Sequence, residues 1–150
     1  MPREAFSRAF GVSDGVTLSL ELLRDAVTRR DATDVELALV VGFTFGFTDD
    51  HLSLLIDLCF ADWHHSHEDA VSALADLGSS ASVDALVHAA ECVPGYLEFD
   101  EARALATKAV GALGVISGDA STNALEALTA SESTIVARNA TAQLERRRRQ

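Results

Sequence analysis

The sequence predicts an all-α fold, an α-solenoid in which antiparallel helix hairpins stack into one core. Three observations predict it. Ala, Leu and Val dominate the 150 residues and only two are Pro. Ala and Leu lose little on entering a helix, whereas interior Pro breaks one. Apolar residues recur at spacings of three and four along most of the chain, which gathers them into one helical stripe. The chain also resembles itself. Residues 70–77 (AVSALADL) align without gaps to 109–116 (AVGALGVI), and Asp84-Ala85-Leu86 falls under Asn123-Ala124-Leu125. A fainter third copy matches Val136, Ala140 and Leu144 to Leu105, Ala109 and Leu113. A single helix pair cannot bury its apolar face alone, so such units must stack.

The elements follow in order. Residues 1–14 form a loosely docked lead-in. Residues 16–30 carry Val16, Leu20, Leu23 and Val27 on one helical face. Residues 35–47 are ambiguous. Phe43, Phe45 and Phe47 alternate with smaller residues as in a strand. A lone strand between helices would have no partner, so a buried helix loosened by Gly42 and Gly46 is expected. Thr48-Asp49-Asp50 opens the next helix, because short polar side chains cap free amides. Leu52, Leu55, Ile56 and Cys59 form its stripe, and Asp62 ends it. The pattern resumes at Ala70 and stops at Gly78, a helix terminator. Ser79 to Ser82 turn the chain, and Val83, Leu86, Val87 and Ala90 mark a further helix. Residues 93–99 are an irregular connection broken by Pro94-Gly95. Asp100 should cap the next helix, with Glu101 in its first turn and Ala102, Leu105, Ala109, Ala112, Leu113 and Ile116 on its core face. Leu125 and Leu128 carry one more helix, and Ile135, Ala140 and Leu144 the last. The chain is thus one domain: a helix pair over 16–47, then repeats over 49–78, 82–117 and 119–148.

Bulk properties narrow the function. A net charge of −11 repels phosphate backbones, so nucleic acid is not an expected partner. The same charge favours encounter with a basic protein. Four arginines, Arg146 to Arg149, read as a solvated helix end whose cations complement the helix dipole. Cys59 and Cys92 read as small buried hydrophobes in a reducing compartment. There is no CxxC or Cys/His zinc spacing, and no glycine-rich phosphate loop after a strand. The N-terminus lacks an apolar signal region, and the most apolar run is too short to span a bilayer. A cytoplasmic protein with no membrane partner is expected.

One stretch stands out: Asp62-Trp63-His64-His65-Ser66-His67-Glu68-Asp69. It holds the only Trp and three of the five His, beside three acids. A helix beginning by His64 would put His64, His67 and Glu68 at i, i+3 and i+4 on one face. Two imidazoles and a carboxylate have the composition of a metal site. A packing role competes with that reading: Trp63 plugs the space between helices, Ser66, Glu68 and Asp69 suit a helix N-terminus, and His67 bonds locally. A third reading is an interaction surface. The repeat alignment makes Asp69 equivalent to Lys108, and adjacent helices lie about 8–10 Å apart. An ion pair from Glu68 or Asp69 to Lys108 is therefore expected, with Asp100, Glu101 and Arg103 extending a polar rim.

The alanine-rich helix ending in Leu-Gly resembles the inner helix of HEAT-like repeats, over roughly residues 49–148. Trp63-His64, His67-Glu68-Asp69, Tyr96-Leu97 and residues 100–105 (DEARAL) are similar to a group of small bacterial HEAT-like proteins. The resemblance implies a protein-binding module, in some members an immunity protein that neutralises a toxin. HEAT-like metalloenzymes of the deoxyhypusine hydroxylase type place His-Glu pairs on successive inner helices. Only His67-Glu68 matches that pattern, and Ala106-Thr107 and Ala137-Arg138 in the later repeats cannot ligate. The expectation is therefore a non-catalytic protein-binding module without a cofactor. Its candidate contacts are Trp63, His64, His67, Glu68, Asp69, Tyr96, Asp100, Glu101 and Lys108. A metal at His64, His67 and Glu68 is the alternative.

Overall fold

The computed structural model describes residues 14–101 and 103–149. The lead-in over 1–13 and Ala102, expected on the core face, lie outside the described residues. Among those described there are eight α-helices and no strand. The helices are α1 (Gly15–Arg29), α2 (Ala32–Phe45), α3 (Leu52–Phe60), α4 (His67–Leu77), α5 (Val83–Glu91), α6 (Ala104–Val115), α7 (Asp119–Leu128) and α8 (Thr134–Arg148).

Local chemistry sets the boundaries. Side-chain oxygens of Asp14, Asp31 and Ser133 accept the free amides of Val16, Asp34 and Val136 at 3.0, 3.0 and 3.4 Å, opening α1, α2 and α8. Gly78 ends α4 in the left-handed region, at φ 65°. The ambiguous stretch is a helix, but it is buried on one side only: Val35, Ala38, Leu39, Val41 and Phe45 are inside, while Leu37, Val40 and Phe43 are exposed. Its last turn holds Phe43 and Phe45, and the chain then leaves it through Gly46 and Phe47. Gly42 does not loosen that helix. A Cβ there would sit 2.2 Å from the Phe47 ring, so the bare backbone makes room for the ring to fold back. Phe47 in turn stands edge-on to His51 with ring centroids 5.3 Å apart.

The helices form two rows. Helices α1, α3, α5 and α7 pack in that order along one row, and α2, α4, α6 and α8 along the other. Each member of the first row also packs on its successor in the chain: α1 on α2, α3 on α4, α5 on α6, α7 on α8. The core lies between the rows. Leu23, Leu39, Leu55, Leu58, Leu74, Leu86, Leu113, Ile116 and Leu125 are all buried there. Alanines at the same level, Ala70, Ala73, Ala109, Ala112 and Ala140, let the second-row helices approach closely.

Several expectations need correction. The buried face of α1 is Leu18, Ser19, Leu23 and Ala26, while Val16, Leu20 and Val27 are only half-buried. Ser19 tolerates burial because His51 Nε2 lies 3.1 Å from its Oγ. In α8 the core residue is Val136, and Ile135 is half-buried. Cys59 is buried and its thiol is pushed up to about 12, but Cys92 is exposed. Helix α6 begins at Ala104, not beside Asp100, because Arg103 turns the chain in the left-handed region at φ 52°. Asp100 still caps it, accepting the Ala104 amide at 2.9 Å, but Glu101 falls outside the first turn. Finally, Arg147 is not a solvated end. Its guanidinium donates to the carbonyls of Leu113 and Ile116 at 2.7 and 2.5 Å and to Ser121 Oγ at 3.0 Å, closing the C-terminus of α6.

Candidate functional site

The segment between α3 and α4 carries the sequence's most distinctive residues, and the ends of α3 explain its shape. A helix leaves its last carbonyls without intrahelical donors. Here two histidines supply them. His64 takes the Ser66 amide on Nδ1 at 3.0 Å, so the proton sits on Nε2, which donates to the Leu58 carbonyl at 2.7 Å. His67 donates from Nε2 to the Ala61 carbonyl at 2.6 Å. Its Nδ1 accepts the Tyr96 hydroxyl at 2.8 Å. The Tyr96 oxygen in turn accepts the His67 backbone N–H at 3.3 Å. The two imidazoles stack with centroids 4.0 Å apart and planes 18° apart.

Both rings are held neutral. His64 is fully buried, and burial lowers its pKa to about 4, with the neighbouring imidazoles of His67 and His65 acting in the same direction. Burial likewise lowers His67. The Tyr96 hydroxyl is raised by burial, with the negative charges of Glu68 and Asp69 adding to the effect.

This geometry separates the predicted site residues into two groups. His64 and His67 are inside, with all four ring nitrogens occupied. Neither has a ring nitrogen free to bond a partner or a lone pair left for a metal. The helical face that would unite His64, His67 and Glu68 does not form, because α4 starts at His67 and leaves His64 in the loop. Among the described residues no cluster of three His, Cys, Asp or Glu side chains is placed to hold a metal. Trp63 is half-buried against the core, edge-on to His64 at 5.3 Å.

The other group faces outward. Lys108 Nζ lies 3.2 Å from Glu68 Oε1, so the expected ion pair joins α4 to α6. Asp69 is exposed beside it. At the residue before Lys108, the Asn139 amide donates to Thr107 Oγ1 at 3.2 Å and joins α8 to α6. Tyr96 is folded back, yet still 37% exposed, with His65 stacked on its ring at 4.4 Å. Glu101 is exposed in the following loop, apart from the ion pair. A half-exposed ion pair contributes about 0–1 kcal/mol to stability, so the Glu68–Lys108 pair does little to hold the fold.

Sequence reasoning missed Phe99, which is 87% exposed between Glu98 and Asp100. An apolar residue in an acidic loop was the available signal. It also missed the buried His51–Ser19 contact, for which two isolated polar residues gave no signal. Compared with protein-family models, with curated proteins and with solved structures, the chain finds no match.

Proposed function

We propose that the chain is a non-catalytic protein-binding module. The two rows of helices are a short α-solenoid of HEAT-like hairpins, and the second row presents the concave, partner-binding face. One observation carries this reading. Two polar links, Glu68–Lys108 and Asn139–Thr107, cross from helix to helix on the exposed side of that row. They hold polar groups in fixed register at a place where they add little to stability. Solenoids bind through extended surfaces of this kind.

The contact residues in this reading are Glu68, Asp69, Lys108 and Tyr96, with Asp100 and Glu101 at the margin. His64 and His67 support them from behind by fixing where α4 begins and where Tyr96 lies. The partner is a protein with a basic or polar surface, in keeping with the charge of −11. An immunity protein or a scaffold both fit, acting in the cytoplasm.

The test is affinity purification with the native chain, Glu68→Arg and Lys108→Glu, each shown to be folded. A partner retained by the native chain and lost by both variants supports the reading. A partner retained equally by all three contradicts it.

A further inference from the structure

We propose that the cleft between the C-terminal ends of α3 and α5 binds an arginine side chain of a protein partner. The two helices are neighbours in the first row, and both end on this cleft. It is open, has a volume of about 250 Å3, and is lined by Phe60, Asp62, His67, His88, Cys92 and Pro94, among others.

Its electrostatics are one-sided. A helix C-terminus carries a partial negative charge of about half an electron, which the imidazole N–H groups of His64 and His67 offset in part at α3 but not at α5. Asp62 adds a full carboxylate that is exposed and enters no hydrogen bond or ion pair with the described residues. Among the described residues no lysine or arginine lines the cleft. The ring nitrogens of His67 are already committed to the Tyr96 hydroxyl and the Ala61 carbonyl, and burial disfavours its charged form. A cation entering here meets negative potential and displaces no resident counter-charge.

Its walls are flat and apolar. Phe60 is 52% exposed, although it follows the buried Leu58 and Cys59 at the end of its helix. Its ring meets that of His88 with centroids 4.6 Å apart and planes inclined at 42°. Val93, 42% exposed, extends the apolar side toward Pro94. A guanidinium is flat, weakly hydrated and able to fork onto a carboxylate, so it can stack on Phe60 while bonding Asp62. A lysine ammonium gains the charge term but not the stacking. The open mouth and the charge of −11 favour an arginine presented by a basic protein. The cleft lining does not include Glu68 or Lys108, and binding in the cleft does not depend on how that pair is used.

The experiment is an NMR titration of the whole chain with a blocked acetyl-Gly-Arg-Gly-amide peptide. The control is the same peptide with citrulline, which keeps the shape and removes the charge. Saturable shifts are expected at Phe60, His88 and Val93, with the citrulline peptide about fivefold weaker. Asp62→Asn and Phe60→Leu should each weaken the arginine peptide severalfold. Both positions are exposed, so the variants should keep the native melting transition. Equal binding of the two peptides would overturn the proposal, as would shifts that do not saturate or that Asp62→Asn leaves unchanged.

Discussion

The Tyr96 hydroxyl donates to Nδ1 of His67 across 29 positions of sequence, at 2.8 Å. That bond ties the loop before α6 to the first residue of α4. Replacing Tyr96 with Phe keeps the ring stacked on His65 but leaves His67 Nδ1 without a donor and its backbone N–H without an acceptor. A loss of about 1–2 kcal/mol is expected. Urea unfolding would read it as a lower midpoint at unchanged slope. Phe99→Ser in the same loop should stay within about 0.5 kcal/mol, because that ring is already in water.

Stability should fall on mild acidification. His64 has an ordinary value of 6.5 and is held at about 4 in the fold, and His51 and His67 are shifted in the same direction, all chiefly by burial. As pH drops through 6.5 the unfolded chain takes up protons that the folded chain refuses, so unfolding gains. The contribution is complete above 6.5 and is lost progressively between about 6.5 and about 4. For His64 alone it is on the order of 3 kcal/mol. Midpoints measured from pH 8 to pH 4 should show this. His64→Gln, which can still donate to the Leu58 carbonyl, should flatten the slope even if it folds less stably.

Arg147 should be the one arginine of the terminal run that matters. It satisfies the closing carbonyls of α6, whereas Arg146, Arg148 and Arg149 are exposed. Arg147→Ala should cost about 2–3 kcal/mol, and Arg147→Lys most of that, since an ammonium cannot span the same acceptors. Arg148→Ala should change stability by less than about 0.5 kcal/mol. Thermal melts of the three variants would separate these outcomes.

Two glycines inside helices should respond with opposite signs. A Cβ at Gly111 meets nothing within 4 Å, so Gly111→Ala should stabilise by about 0.5–1 kcal/mol through helix propensity. At Gly42 a Cβ would strike the Phe47 ring at 2.2 Å. Gly42→Ala should therefore cost about 1–3 kcal/mol. Denaturant midpoints would show both.

What was legible in the sequence follows from the range of the forces involved. Helix positions came from apolar spacing, which is local, and the aligned stretches 70–77 and 109–116 fall in α4 and α6, which pack together. The Glu68–Lys108 pair was legible for the same reason, because Lys108 aligns with Asp69, one residue from Glu68, and aligned positions on neighbouring helices lie close together. The fate of His64 was not. Its burial depends on the last carbonyls of α3 being turned toward it by a loop whose path no periodicity encodes. Arg147 was hidden for a related reason: its partners lie 31 and 34 positions earlier, at the end of another helix. Cys92 sits one residue beyond the end of α5, where the helical stripe no longer governs burial.

The proposed binding face is the exposed side of the second row. It is tested most directly by placing a photo-cross-linking side chain at Ser72 on α4 and, separately, at Glu126 on α7 of the first row. Each chain would be irradiated in its own cell extract, and cross-linked proteins identified by mass spectrometry. One dominant protein should be cross-linked from Ser72, reduced by Glu68→Arg, and none in common from Glu126. Cross-links to the same protein from Glu126, with none from Ser72, would contradict it.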